Sequence, residues 1–113
     1  DAAHAMYPIG SNGSSQGIIG ARVLGRSLRD LGTSEAALAA YEAERRPITT
    51  RITLSNRANG PDQVMELVEQ RCGGVFSDIR DVLSEAELHG TAQSYKDLVG
   101  TDVNALNTRP SIL

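Results

Sequence analysis

The sequence has no tryptophan, a single phenylalanine (Phe76) and an aromatic content of only 4%. Much of its 40% hydrophobic share is alanine. Alanine removes little apolar area from water, so at about 25 cal/mol per Å² the core is thin for the chain's length. Cys72 is the lone cysteine, which excludes an internal disulfide and fits a reducing cytoplasm. No apolar run approaches the roughly 18 residues of a membrane span, so no membrane partner is expected. Basic residues are in the minority, 11 against 14 acidic, for a net charge of −3. That excludes the basic face of a typical nucleic-acid module. The two histidines, His4 and His89, form no His-x-x-x-His pair, and no cysteine cluster exists, so no metal site is expected. Also missing is the Gly-x-Gly-x-x-Gly fingerprint of a dinucleotide-binding strand-turn-helix.

What is present is concentrated at the start. Asp1-Ala2-Ala3-His4 leads through Pro8 into Gly10-Ser11-Asn12-Gly13-Ser14-Ser15. Glycine there permits turns with positive φ. A helix opening directly afterwards offers unpaired N–H groups and the positive end of its dipole. Such a loop suits an anion or a carbonyl oxygen.

The rest reads as helices. The first begins at Ser14 or Ser15 and runs to about Leu31, stopped by Gly32. Arg22, Arg26 and Arg29 share its polar face, while Gly17, Gly20, Leu24, Leu28 and Leu31 are expected to face inward. Gly17, Gly20 and Gly25 are costly in a helix and point to a close approach there. Thr33 or Ser34 caps a second helix with Leu38 and Tyr41 on one face. Pro47 is expected to kink it or split it into two abutting helices, ending near Ala58. A third helix follows from Asp62 to Cys72, with Val64, Leu67 and Val68 on one face. Ser77-Asp78 opens a short turn, and Ser84 with Glu87 forms a capping box for a fourth helix from Glu85 to about Leu98. A last turn is expected at residues 102–106. No strand pattern or repeat is present. The expected fold class is all-α, several helices behind an N-terminal glycine-rich loop.

Familiar catalytic arrangements are absent, and no catalytic residue is expected in this chain. His89 falls on a polar helix face, and His4 reads as structural. Cys72 has no basic activator beside it, and Ser14 and Ser15 have no paired base. Asp78, Asp81, Glu85 and Glu87 are explained by helix starts. The Arg22, Arg26 and Arg29 stripe and the Arg45-Arg46 pair read as solvated faces with partners such as Glu42 and Asp30.

Asp1-Ala2-Ala3-His4, Pro8 and the loop opening a helix resemble the second flavin-contact region of FAD-dependent aromatic monooxygenases of the para-hydroxybenzoate hydroxylase type. Tyr41-Glu42-x-Glu44-Arg45-Arg46-Pro47 resembles the cluster that follows one helix later in that family. The two motifs keep the family's order and spacing and cover residues 1–60. Leu106-Asn107-Thr108-Arg109-Pro110 is compatible. The departures are Ser11 in place of the first loop glycine, Ser15 where asparagine is common, and Gly20 where aspartate precedes Ala21.

The resemblance implies that residues 1–60 are the C-terminal part of an FAD-binding domain, a flavin-contact loop plus two helices, and that 61–113 are a C-terminal helical segment. The parent fold would be α/β and Rossmann-like. It implies cofactor contacts at Asp1, Pro8, Gly10, Ser11, Asn12, Gly13, Ser14 and Ser15. Asp1 would accept from a ribityl hydroxyl, Pro8 would line the ring, and the Gly13–Ser15 N–H groups would face the flavin's pyrimidine end. The implied parent is a cytoplasmic enzyme that uses NAD(P)H, FAD and O₂ to hydroxylate an aromatic or related small molecule, and the resemblance admits a homo-oligomer. The chain opens without a methionine and inside the motif, and is expected to be a C-terminal piece, inactive by itself. Two alternatives carry different expectations: an FAD-dependent oxidoreductase without oxygenation, and a stand-alone helical interaction module.

Overall fold

The structure, a computed structural model, describes residues 2–112. It is all-helical, with no strand among the described residues. Helix α1 spans Gly13–Leu31, α2 Glu35–Arg57, α3 Gln63–Cys72, α4 Glu85–Val99 and α5 Val103–Thr108. Short 3₁₀ turns at Ile9–Ser11, Gly60–Asp62 and Ile79–Asp81 join them.

The boundaries follow local chemistry. Gly32 leaves α1 with φ 69°, and the Ser34 hydroxyl accepts from the Ala37 N–H at 3.3 Å to start α2. At α4 the capping box is complete: the Glu87 N–H donates to Ser84 Oγ (3.3 Å), and the Ser84 N–H donates back to Glu87 Oε2 (2.9 Å). Asp102 starts α5 by accepting from the Ala105 N–H at 2.8 Å.

Helix α2 narrows the sequence reading at Pro47. Of the two forms expected, a kinked helix or two abutting helices, the second is excluded: one helix runs from Glu35 to Arg57 through the proline. Its missing N–H leaves the Ala43 carbonyl without its usual donor. Ala43 and Pro47 both lie on the exposed side, where water can satisfy that carbonyl.

Helices α1 and α2 lie side by side as the main pair. Their seam also differs from expectation. On α1 the buried stripe is Gln16, Gly20, Val23 and Ser27, while Gly17 and Leu31 are exposed. On α2 it is Ala37, Arg45, Thr49, Ile52 and Asn56, with Leu38 turned outward. Small and hydrogen-bonded side chains fill much of the seam. A Cβ on Gly20 would lie 3.2 Å from His4 Nε2 and 3.4 Å from the Tyr41 hydroxyl. Of Gly17, Gly20 and Gly25, expected to mark a close approach, Gly20 meets these two side chains and Gly17 meets nothing.

The fully apolar core is correspondingly small: Val23, Ala37, Ile52, Val68, Leu83 and Val99. The molecule measures 58 × 29 × 17 Å with a radius of gyration of 17.7 Å. A compact domain of this length has a radius of about 13 Å. At 17 Å the thin dimension is less than two helix diameters of about 10–12 Å each. Ile18, Leu38, Leu54, Met65, Val75 and Val103 are each more than half exposed on this slab.

Candidate functional site

The opening loop is held in place by a polar strut. Asn12 is 5% exposed, and its Nδ2 donates to the Tyr95 hydroxyl of α4 at 2.6 Å. That hydroxyl donates in turn to Asn56 Oδ1 of α2 at 2.7 Å. Burial pushes the Tyr95 phenol above its ordinary value, against the opposing effect of the Asn12 bond, so it stays protonated and able to donate. Three segments distant in sequence are thereby tied together.

Gly10 makes the loop possible. Its φ of 77° and ψ of 0° suit the third position of a tight turn, closed by the Ser11 N–H donating to the Pro8 carbonyl at 3.0 Å. A Cβ here would sit 2.0 Å from the Tyr95 oxygen. Ser11 continues with φ 53°. The two left-handed residues turn the chain directly into α1.

Because the Asn12 amide is engaged with Tyr95, it does not cap α1. No side chain among the described residues accepts from the backbone N–H groups of Gly13, Ser14 or Ser15. Gly13 and Ser14 are exposed, as are Pro8, Gly10 and Ser11. Ser15 is half-buried and turns its hydroxyl back to the Asn12 carbonyl at 3.0 Å. The expected contact residues from Pro8 to Ser15 therefore form one continuous surface, with Asn12 as its internal support. Asp1 lies outside the described residues.

Arg45 was expected on a solvated face and is instead 4% exposed. Its Nη2 donates to Gln16 Oε1 at 2.6 Å, and Gln16 Nε2 donates to the Val99 carbonyl at 3.0 Å. Burial pushes the guanidinium pKa down. The signal was legible: Ala37, Tyr41, Arg45 and Thr49 recur every fourth residue on one face. Arg46, by contrast, is exposed and paired with Glu42, as expected. The Arg26 and Arg29 expectation also holds in kind, with partners Glu44 and Asp30.

Beside the loop, the opening segment and α2 enclose a groove of about 720 Å³. His4, Tyr41, Arg45, Thr49 and Arg57 help line it. His4 Nδ1 is enclosed there without a partner. No metal-binding cluster exists among the described residues, and no helix is long and apolar enough to cross a membrane.

No family model matches the chain, and no solved structure matches it. Among curated proteins it is similar to the phenazine 1,6-dicarboxylic acid hydroxylase PhzS of Lysobacter antibioticus, with 53% identity over 57 residues. The match takes in 50% of this chain and 14% of that protein, so the chain spans a small part of the relative's length.

Proposed function

We propose that this chain is the C-terminal portion of an FAD-dependent, NAD(P)H-using monooxygenase that hydroxylates an aromatic or related small molecule. The observation that carries the reading is the first turn of α1: it is exposed, has no side-chain cap, and is presented by the left-handed turn at Gly10 and Ser11. The similarity to a hydroxylase supports it independently.

The residues present fit a flavin. In this reading Pro8 lies along the ring, and the Gly13, Ser14 and Ser15 N–H groups donate to its pyrimidine end. The α1 dipole favours negative charge at that end. Asp1 accepts from a ribityl hydroxyl. Asn12, Tyr95 and Asn56 hold this surface rigid, which keeps the donors aimed. The bound flavin supplies electron transfer from NAD(P)H and the activation of O₂. Residues 1–60 complete an FAD-binding domain whose adenine anchor lies outside this chain, and residues 61–113 follow as a helical segment. The half-buried Cys72, donating to the Val68 carbonyl at 3.2 Å, fits a reducing cytoplasm.

The test is oxygen uptake by the full-length protein with NADH or NADPH and a panel of aromatic acids and phenazines. A substrate whose addition leaves oxygen uptake in excess of peroxide formed supports oxygenation. Quantitative recovery of all consumed oxygen as peroxide, with every substrate, favours an oxidoreductase without oxygenation.

A further inference from the structure

We propose that the C-terminal segment tunes the flavin from behind: α4 sets where α1 starts, and Tyr95 is a positioning residue for the N–H groups of its first turn. The inference rests on the flavin reading and gives residues 61–113 a part in it. It starts from what is buried between Pro8 and Gly17. Only Asn12 and Gln16 are, at 5% and 1% exposure, and both are polar. Apolar burial is non-directional, whereas a hydrogen bond fixes distance and angle. The place of the exposed Gly13 and Ser14 N–H groups is therefore set by where Asn12 and Gln16 find their partners.

Both find them on α4. Asn12 Nδ2 donates to the Tyr95 hydroxyl at 2.6 Å, and Gln16 Nε2 donates to the Val99 carbonyl at 3.0 Å. The spacings match. Positions 12 and 16 are one helical turn apart, as are positions 95 and 99, about 6 Å along each helix at 1.5 Å per residue. Two rungs a turn apart fix the rotation of the α1 start as well as its distance from α4. Val99 is the last residue of α4, where a carbonyl lacks a donor within its own helix. Gln16 supplies that donor, so the second rung serves both helices.

Each rung continues into α2. The Tyr95 hydroxyl donates to Asn56 Oδ1 at 2.7 Å, and Arg45 Nη2 donates to Gln16 Oε1 at 2.6 Å. The backbone leaves room for the Tyr95 rung. A Cβ at Gly10 would stand 2.0 Å from the Tyr95 oxygen. One at Gly60, between α2 and α3, would stand 3.4 Å from the Tyr95 ring and 3.3 Å from Ile9. Tyr95 thus lies behind the exposed loop and acts through Asn12 and Gly10. Without its hydroxyl the α1 start is free to shift. Its N–H groups then stabilise the negative charge of reduced flavin less well.

The experiment measures the reduction potential of the flavin bound to the full-length protein, unaltered and as Tyr95→Phe and Leu83→Ala. Leu83 is 1% exposed, precedes α4 and forms neither rung, so its truncation lowers stability and leaves both rungs in place. The expected result in Tyr95→Phe is at least a threefold loss of preference for reduced over oxidised flavin, a fall of about 14 mV, with Leu83→Ala unchanged. Release of flavin by Tyr95→Phe alone supports the proposal too. A smaller fall, or one matched by Leu83→Ala, overturns it. Ser14→Asp, which alters the flavin-facing turn itself, separates this failure from failure of the flavin reading. A potential that answers to Ser14→Asp and not to Tyr95→Phe overturns the positioning role alone. One that answers to neither, or a full-length protein that holds no flavin, overturns both. Should Tyr95→Phe or Leu83→Ala lose its helical circular dichroism, Asn56→Ala and Val68→Ala take their places in the same comparison.

Discussion

Gly10 and Tyr95 decide the shape of the opening loop between them. Gly10→Ala forces a side chain into left-handed backbone and onto the Tyr95 hydroxyl. We expect a loss of about 1–3 kcal/mol in urea unfolding of the chain. Gly13→Ala, whose Cβ meets nothing, should change stability by no more than about 0.5 kcal/mol. Tyr95→Phe leaves Asn12 and Asn56 without their shared partner and should cost about 1–3 kcal/mol by the same measurement. Sequence made the turn legible, because glycine and serine before a helix have a local cause. It did not reveal the strut, since Asn12, Asn56 and Tyr95 are joined only by folding. Arg45 was misread because two adjacent arginines look alike in sequence, although only one falls on the inward stripe of α2.

At the scale of elements, caps were the most legible feature, because they depend on neighbours in sequence. The box at Ser84 and Glu87 was read correctly and gains a third member, Arg71 of α3, which donates to Glu87 at 2.6 Å. Together the Arg71 and Ser84 bonds hold the Glu87 carboxyl well below an ordinary 4.5, at about 2. A carboxyl that is more acidic folded than unfolded stabilises fully above its unfolded value and loses that contribution as pH falls through its folded one. The first turn of α4 should therefore loosen between about pH 4.5 and pH 2. Amide exchange at Glu87 and Leu88 should show this, with Glu87→Gln flattening the dependence. Helix faces were less legible. Leu31, predicted to face inward, stands outside. The seam is filled largely by glycine, alanine and hydrogen-bonded side chains in place of large apolar ones. At Pro47 sequence left a kinked helix and two abutting helices open; the proline's local cost falls on the water-facing side, and a single helix forms.

The whole molecule is a slab with little core, 17 Å thick, carrying an outward apolar surface and an uncapped helix start. Those features agree with a chain that packs against a larger body and offers one half of a ligand site. Alone, it should purify without colour, and equilibration with FAD should leave no stoichiometric flavin spectrum. The most direct measurement of the central claim is the flavin reduction potential of the full-length protein carrying Ser14→Asp. An acidic residue in the first turn favours the helix itself, so the fold is spared. If α1 faces the pyrimidine end, the new carboxylate opposes the negative charge of reduced flavin. The potential should then fall by about 30 mV or more, the two-electron equivalent of about 1.4 kcal/mol. A bound flavin whose potential is unchanged by this substitution would contradict the placement of α1 against the cofactor.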